Sequence, residues 1–275
     1  MKTSLRDKID NFFYNGIVRP IIFTSRLGRK TMFGYANSGI NFDHIYGNKA
    51  KGYTRFGKII DKILLRLPAC KATQNRKEKI ITILNKEIQK NISLNKKTRI
   101  VDIASGPARY LVDLIAQDMT NNIEALCFDI DMHSLDYGKK IAGDKPILYK
   151  KSDVLKIGGH HKFFSKKKDW KPNVIIASGF FEYINDETSV AILKNILDFL
   201  EKDGFLLLIT QKDSPNRKLI EHVGITNDKK KWVLFYRDQK IVEGWLTKLG
   251  YQNVVSEIDP WNMYVFYEGR KYFCE

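Results

Sequence analysis

Residues 99–110 read RIVDIASGPARY, a β-branched run that leads into small residues and then into a helical pattern. It predicts a strand at 99–103 and a helix at 109–117, with Pro107 suited to the first helical turn. Small side chains in the turn would let a ligand approach the backbone closely: Ala104, Gly106 and Ala108. Asp102 would repel a pyrophosphate but attract an ammonium or sulfonium group. The stretch therefore predicts a site for a cationic ligand at the carboxyl end of a strand.

Similar β-branched runs alternate with helical patterns as far as residue 210. Further strands are predicted at 123–129, 147–150, 173–177 and 205–210, and further helices at 132–141, 187–200 and 238–249. This alternation indicates an α/β fold with a doubly wound, mostly parallel sheet and helices on both faces. The ending differs, because runs at 252–258 and 262–267 flank a Pro-containing turn. They predict a hairpin and an antiparallel last strand.

Length and composition exclude several classes of protein. The 275 residues are 43% hydrophobic and 28% charged, which excludes wholesale disorder and a coiled-coil fibre. No apolar run approaches the ~20 residues that span a bilayer. The three cysteines lie far apart, as is typical of a reduced protein. We therefore expect a cytoplasmic protein.

The excess positive charge is confined to the first third of the chain. Residues 1–99 hold 22 Lys and Arg against 6 Asp and Glu, whereas residues 100–275 hold 25 of each kind. A neutral region behind a basic front end predicts an anionic partner, either a phospholipid surface or a nucleic acid. A merely solvated lysine-rich surface is the alternative.

Apolar residues at helical spacing lie within this basic region: Leu5, Ile9, Phe12, Phe13 and Ile17. Such a face suits a membrane interface better than a phosphate backbone, so we favour a membrane lipid over RNA as the partner. This would place the protein at the inner face of a membrane. The alternative is that this apolar face packs on the protein's own core.

The rest of the basic region predicts a loop and two helices. Residues 27–53 are rich in Gly, Asn and aromatic residues and predict a long loop. Helices follow at 55–67 and 73–91. Three side chains of the loop are candidates to close over a ligand bound at the sheet: Tyr35, His44 and Tyr46.

Acidic residues follow the second and third strands. Asp129, with Ile130 beside it, ends the second strand, where a carboxylate can accept hydrogen bonds from both hydroxyls of a ribose. Asp131 fits the N-cap of the next helix. Asp153 and Val154 follow the third strand, where they could accept from an adenine amino group and offer an apolar edge.

The residues after the fourth strand supply the floor of such a pocket and a candidate base. Ser178 and Gly179 come directly after that strand. Glu182 and Tyr183 follow them and are the best-placed candidates for a general base. The alternative for Glu182 is a carboxylate that stabilises the start of a helix.

The region from about residue 98 to 210 resembles the class I S-adenosylmethionine-dependent methyltransferases. In that family the first strand ends in an acid and a glycine-rich turn, which here runs from Asp102 to Ala108; two of the family's glycines are Ala104 and Ala108. The resemblance implies a Rossmann-like seven-stranded sheet and S-adenosyl-L-methionine as cofactor. It also implies that Ala104, Ser105 and Gly106 line the methionine part, Asp129 the ribose, and Asp153 and Val154 the adenine. We add Arg109, Ile130, Ser178 and Gly179 as neighbouring candidates for cofactor binding.

A narrower resemblance covers residues 46–267. The chain is similar to a group of bacterial methyltransferases that occur alone or fused behind an α/β-hydrolase domain. The residues that carry this resemblance are Tyr46, Lys51-Gly52, Gly57 to Asp61, Gln74 to Arg76, Asp102 to Gly106, Arg109-Tyr110, Ser178 to Glu182, Thr210-Gln211 and Trp232-Val233. We divide the chain into a basic helical extension or lid, residues 1–95, and a methyltransferase domain, residues 96–275.

Several functions compete with transfer of a methyl group to a lipid or lipid-derived acceptor. An RNA methyltransferase would use the same basic charge. A nicotinamide-dependent oxidoreductase requires Gly-x-Gly-x-x-Gly, which the turn lacks. A non-catalytic binding protein on a decayed fold would explain the two alanines. We expect no metal, because the adjacent His160 and His161 lack the spacing of metal ligands.

Overall fold

The computed structural model describes residues 5–118, 120–155 and 171–272, and these form two compact units. The helical unit comprises the described residues up to Asn75 together with Ser214–Val233. The sheet unit comprises Arg76–Asp213 together with the described residues from Leu234 onward. Residues 76–95 thus group with the sheet, and residues 214–233 group with the N-terminal helices. The functional division at residues 95 and 96 stays a prediction.

Within the described residues, seven strands form one sheet in the order β3-β2-β1-β4-β5-β7-β6. The strands are β1 Thr98–Ile103, β2 Ile123–Asp129, β3 Ile147–Lys151, β4 Val174–Ser178, β5 Phe205–Gln211, β6 Gln252–Ile258 and β7 Tyr264–Arg270. Neighbours among β1 to β5 pair in parallel, whereas β7 runs antiparallel to both β5 and β6. The predicted mostly parallel, Rossmann-like sheet with an antiparallel last strand is confirmed.

The helices of both units are numbered in chain order. They are α1 Leu5–Phe12, α2 Arg19–Phe23, α3 Arg26–Lys30, α4 Gly39–Gly47, α5 Arg55–Leu65, α6 Pro68–Ser93, α7 Arg109–Ala116, α8 Met132–Ala142, α9 Asp186–Phe199, α10 Arg217–Val223 and α11 Gln239–Leu249. Phe13–Val18 and Thr31–Tyr35 are π-helical, and Phe181–Tyr183 is a 3₁₀ turn. No helix in the described ranges is both long and apolar enough to cross a bilayer.

Short polar caps start α8 and α9, two of the helices that flank the sheet. Asp131 caps α8 by accepting a hydrogen bond from the His133 amide, as predicted. Asn185 caps α9 in the same way. Leu193 and Ile196 of α9 and Val242 of α11 are buried in a cluster with inward-facing residues of the strands. This core fixes the strand ends that carry the polar residues.

The prediction of a long loop at residues 27–53 is wrong, because short helices fill most of it. Ser25 and Ser38 cap α3 and α4 with their side-chain oxygens, which accept from the amides of Gly28 and Ile40. Gly34 has a φ of 92° and separates the two helical stretches. The many Gly and Asn residues therefore mark the breaks between helices instead of one irregular segment.

Asp61 of α5 ties the short helices of the helical unit together. Its buried carboxylate accepts from the amides of Leu27, at 3.0 Å, and Lys51, at 2.6 Å, and from the Ser25 hydroxyl. Gly57, one turn earlier, lies so close to the Thr24 carbonyl oxygen that a Cβ atom there would be 2.2 Å from it. The sequence from Gly57 to Asp61 thus holds two separate segments, residues 24–27 and the segment at Lys51, on one helix.

Candidate active site

The turn after β1 follows an unusual backbone path. Ala104, Gly106 and Ala108 have φ angles of 53°, 54° and 50°, all in the left-handed region. Only glycine adopts this region without a steric penalty, so the two alanines are strained. The path leaves the Ser105 amide bonded to the Phe128 carbonyl oxygen at 3.0 Å. It brings the turn against the end of β2.

Asp129 holds this turn in place from the end of β2. One carboxylate oxygen accepts from the Gly106 amide at 2.7 Å, and the other accepts from the Asp131 amide at 2.8 Å. Burial raises the pKa of Asp129, while these amide donors oppose the rise. Ile130 beside it is well exposed. Asp129, which is predicted to bind the ribose, therefore also anchors the turn.

Asp102 lies fully buried directly before the turn. The Tyr110 hydroxyl donates to Asp102 Oδ2 at 2.7 Å, and Oδ1 has no hydrogen-bond partner among the described residues. Burial raises the pKa of Asp102 to about 8, with the nearby Asp129 adding to the rise. Such a carboxyl group would be stabilised by a cationic ligand.

Arg109 opens α7 and faces neighbouring helices. Its guanidinium lies 3.8 Å from Asp113 and donates to the Tyr137 hydroxyl at 3.4 Å. Its candidate role in cofactor binding stays a prediction.

The residues after β3 and β4 lie at the same edge of the sheet. Asp153 accepts from the Leu155 amide at 3.1 Å, and Val154 is buried in the core. Ser178 is the last residue of β4, and its hydroxyl is buried without a hydrogen-bond partner in the described chain. Gly179 has a φ of 76°, and a Cβ atom there would lie 2.9 Å from the Arg76 guanidinium. Gly179 therefore gives the room that Arg76 occupies.

Glu182 is buried, and neither carboxylate oxygen has a hydrogen-bond partner among the residues that the structure describes. Burial raises the pKa of Glu182 to about 7, against the opposing charges of Arg76 and Arg237. A carboxyl group that titrates near neutrality suits a general base. Tyr183 follows it at the end of the 3₁₀ turn.

The structure brings together candidates that are far apart in sequence. Direct hydrogen bonds join the turn after β1 to the end of β2, and parallel pairing sets the ends of β3 and β4 alongside. The individual roles of these residues stay predictions.

Three buried residues make contacts near the candidate site to which no role was assigned from the sequence. Arg76 stacks on the Tyr264 ring, with 4.7 Å between the guanidinium carbon and the ring centre. Arg237 donates to the Phe181 carbonyl oxygen at 2.7 Å and to Asp186 at 2.9 Å, which braces the segment around Glu182. Tyr110 bonds Asp102 as described above. Arg76 and Tyr110 belong to the motifs of the narrower resemblance, whereas nothing in the sequence pointed to Arg237.

The candidates for a closing role belong to the helical unit. His44 is buried there, and its Nε2 lies 3.0 Å from the Lys49 carbonyl oxygen and 3.9 Å from Asp61. Burial lowers the pKa of His44. Tyr35 is half exposed, and Tyr46 is partly buried. The closing role stays a prediction for all three. His44 is the least suited to it, because its side chain is buried.

The described residues contain no group of three or more His, Cys, Asp or Glu side chains that could hold a metal ion. His160 and His161 lie outside the described residues.

Comparison with known proteins gives a family match over most of the chain. A family model described as "Putative methyltransferase" matches residues 21–270. The uncharacterized protein YnbC of Escherichia coli (strain K12) is 24% identical over 243 residues, which cover 86% of this chain and 40% of YnbC. The chain thus spans 40% of the length of that relative.

Solved structures with the same fold include known methyltransferases. Magnesium protoporphyrin IX methyltransferase of Synechocystis PCC 6803, solved with bound S-adenosylhomocysteine, is 10% identical with a TM-score of 0.56, covering 95% of this chain and 99% of its own. The CurJ carbon methyltransferase is 15% identical with a TM-score of 0.56, covering 70% and 54%. A possible exported protein from Bordetella parapertussis is 13% identical with a TM-score of 0.61, covering 99% and 100%. These likenesses show the fold.

Replacing Ala104 with glycine is expected to stabilise the protein. The substitution removes the steric penalty of a left-handed alanine, so Ala104→Gly should raise the free energy of unfolding by about 0.5–1 kcal/mol. Ala191→Gly, at an exposed position inside α9, should instead lower it by about 1 kcal/mol. Urea denaturation followed by circular dichroism measures both. If both substitutions changed the free energy of unfolding in the same direction, the inference that Ala104 is strained would be contradicted.

Asp102→Asn is expected to change the pH dependence of stability. Because the pKa of Asp102 rises on folding from 3.8 to about 8, ionisation destabilises the folded chain progressively as the pH rises between these values. Relative to wild type, Asp102→Asn should gain about 1.4 kcal/mol of unfolding free energy per pH unit between pH 5 and 7, and less per unit as the pH approaches 8. Urea titrations at these pH values test it. A constant difference between the two proteins would rule out the raised pKa.

Proposed function

This chain belongs to the protein family described as "Putative methyltransferase", and from that premise we propose that it is an S-adenosylmethionine-dependent methyltransferase. The observation that carries the proposal is the left-handed turn after β1, which Asp129 anchors beside the buried Asp102. The turn and the two carboxyl groups lie at the carboxyl edge of a parallel sheet, where open α/β folds bind ligands.

The residues present fit this cofactor by their chemistry. When bound, S-adenosylmethionine supplies a reactive methyl group on a positively charged sulfur. Burial raises the pKa values of Asp102 and Asp129, and within the described chain only uncharged hydrogen-bond donors oppose the rise, so these two carboxyl groups lack a compensating cation. A ligand with sulfonium and ammonium groups supplies this compensation. A dinucleotide pyrophosphate would be repelled.

We assign the parts of the cofactor to successive strand ends. Ala104, Ser105 and Gly106 line the methionine part; Asp129 accepts from the ribose hydroxyls with Ile130 beside it; Asp153 and Val154 hold the adenine; and Ser178 and Gly179 form the floor. Asp129 must then serve the ribose while it still anchors Gly106. Each of its oxygens accepts one amide hydrogen bond and has remaining lone pairs for this purpose.

The chain contributes position and a base to the transfer. Placing an acceptor atom in line with the methyl group provides most of the rate, because it removes the entropic cost of encounter. Glu182, with a pKa of about 7, takes the proton of a hydroxyl or amine acceptor. Arg237 keeps the Glu182 segment in place through its bonds to Phe181 and Asp186.

The acceptor that we favour is a membrane lipid or a lipid-derived small molecule. The helical unit combines basic and exposed apolar side chains, which suits a lipid surface better than RNA. RNA is the second candidate, on the basic charge alone. A non-catalytic binding protein is the third, and it rests on Ala104 and Ala108 in place of glycines.

S-adenosylmethionine and S-adenosylhomocysteine should each raise the melting temperature, and NAD should not. At ~100 times its dissociation constant a ligand adds about 2.7 kcal/mol, a shift of several degrees. Asp129→Ala should weaken binding by roughly 1.5–3 kcal/mol, whereas Asp136→Ala, an exposed acid on α8, should leave it unchanged. Calorimetric titration with S-adenosylhomocysteine compares the two variants. Unchanged binding by Asp129→Ala would disprove the ribose assignment.

Glu182→Gln should abolish most methyl transfer without loss of cofactor binding. Removing a general base costs about 10²–10⁴-fold in rate. The assay follows labelled methyl groups from S-adenosylmethionine into a polar lipid extract, and wild-type incorporation should increase as the pH rises towards 7. Glu187→Gln, at an exposed position in the first turn of α9, is the matched control. Equal incorporation by both variants would remove Glu182 from catalysis.

A further inference from the structure

Exposed apolar side chains gather on the helical unit beyond the N-terminal helix. On α1, Leu5 and Phe12 are 76% and 72% exposed, as the sequence pattern allowed. The structure adds Phe23, Phe33 and Tyr53, which come from separate segments and are each more than two fifths exposed. Where exposed apolar side chains form a contiguous patch, they mark an interaction site.

Arg29 joins these aromatic residues into one patch. Its guanidinium carbon lies 4.6 Å from the centre of the Phe23 ring and 5.2 Å from that of the Tyr53 ring. Phe33 packs edge to face against Phe23, with 5.8 Å between ring centres. Two exposed rings therefore flank the partly exposed Arg29 guanidinium, a cation whose chemistry suits a phosphate group.

Helix α5, which contacts α2 and α3, adds an exposed apolar stripe of its own. Phe56, Ile59 and Ile63 repeat at helical spacing and are 53–54% exposed, while Ile60 and Leu65 are buried in the unit. Flanking the stripe are four exposed basic residues that make no ion pair within the described chain: Arg55, Lys58, Lys62 and Arg66. The acid of this helix, Asp61, is buried. An apolar stripe beside a basic face is the pattern of an interfacial helix.

We propose that this docking surface, formed by Phe23, Arg29, Tyr53, Phe56, Ile59 and Ile63, binds an anionic phospholipid bilayer. Residues 5–75 carry 13 Lys and Arg against 4 Asp and Glu, so the surface complements an anionic membrane and disfavours a second copy of itself. Aliphatic Ile59 and Ile63 offer no ring on which an RNA base could stack, whereas acyl chains accept them readily. The surface would bring the chain to lipid acceptors, and in that respect it rests on the proposed methyl transfer.

The docking surface changes what removal of the N-terminal helix should do. If α1 alone made the contact, its loss would abolish binding. With α5 and the aromatic patch engaged, the apolar contact survives in part when α1 is altered. Substitutions in α5, which leave α1 intact, therefore test the surface that the structure adds.

The test uses the full-length chain and vesicle sedimentation. Vesicles of phosphatidylcholine with about 30 mol% phosphatidylglycerol are compared with phosphatidylcholine alone. Phe56→Ser with Ile63→Ser should weaken binding to the anionic vesicles by at least about tenfold, and Lys58→Gln with Lys62→Gln by about tenfold. Helix α11 supplies matched controls, because Ile241, Lys240 and Lys248 are exposed there. Ile241→Ser and the pair Lys240→Gln with Lys248→Gln should bind like wild type.

Three outcomes would overturn the docking surface: equal binding of both vesicle types by wild type, unchanged binding by both α5 variants, or equal losses in the α11 controls. If the Phe56→Ser, Ile63→Ser variant keeps vesicle binding but loses self-association of the free chain, the surface belongs to a second copy. If it instead keeps vesicle binding and loses binding to a structured RNA, the surface belongs to RNA. Calorimetric binding of S-adenosylhomocysteine by every variant reports separately on the cofactor site. The docking surface and the proposed methyl transfer can therefore fail independently.

Discussion

The hydrogen bond from the Gly106 amide to the Asp129 carboxylate is the contact on which the candidate site depends. It works because β1 and β2 pair in register, with Ile103 opposite Phe128, so the two strands end together. The Ser105 amide extends this pairing two residues beyond β1 by donating to the Phe128 carbonyl oxygen. A turn with three left-handed residues would otherwise relax into easier conformations. Strand pairing in the sheet thus stabilises the strained turn next to the two carboxyl groups of Asp102 and Asp129.

The same edge of the sheet concentrates buried acids at a cost to stability. Asp102 and Glu182 are buried with unpartnered oxygens in the described chain, and burial raises the pKa of each carboxyl group. The surrounding core, built on Leu206, Leu208 and the helices that cover them, must offset this cost. Polar groups that lack partners within a rigid core are typical of sites that complete their hydrogen bonds and charge balance with a ligand.

Periodicity predicted the sheet because buried parallel strands are encoded as β-branched runs. It also predicted that Asp129 ends β2. It failed at residues 27–53, where capping by Ser25 and Ser38 outweighs the high content of Gly and Asn. Periodicity could not predict the positions of Arg237 and of residues 214–233, because these depend on partners that are distant in sequence. Ile225, for example, exchanges backbone hydrogen bonds with Thr31 and Ala36. No local pattern encodes a contact across nearly two hundred residues.

The interleaving of the two units has a consequence for biosynthesis. Val223 completes the small core that Ile22, Met32 and Ile60 begin, yet the ribosome delivers it only after the first five strands of the sheet. The sheet in turn waits for β7, near the end of the described chain, to pair with β5. Neither unit can close on the nascent chain until most of it has emerged, and such late, non-local closure slows folding and prolongs exposure of apolar surface. For a chain of this arrangement we expect the nascent state to need more protection from aggregation than its finished packing would suggest.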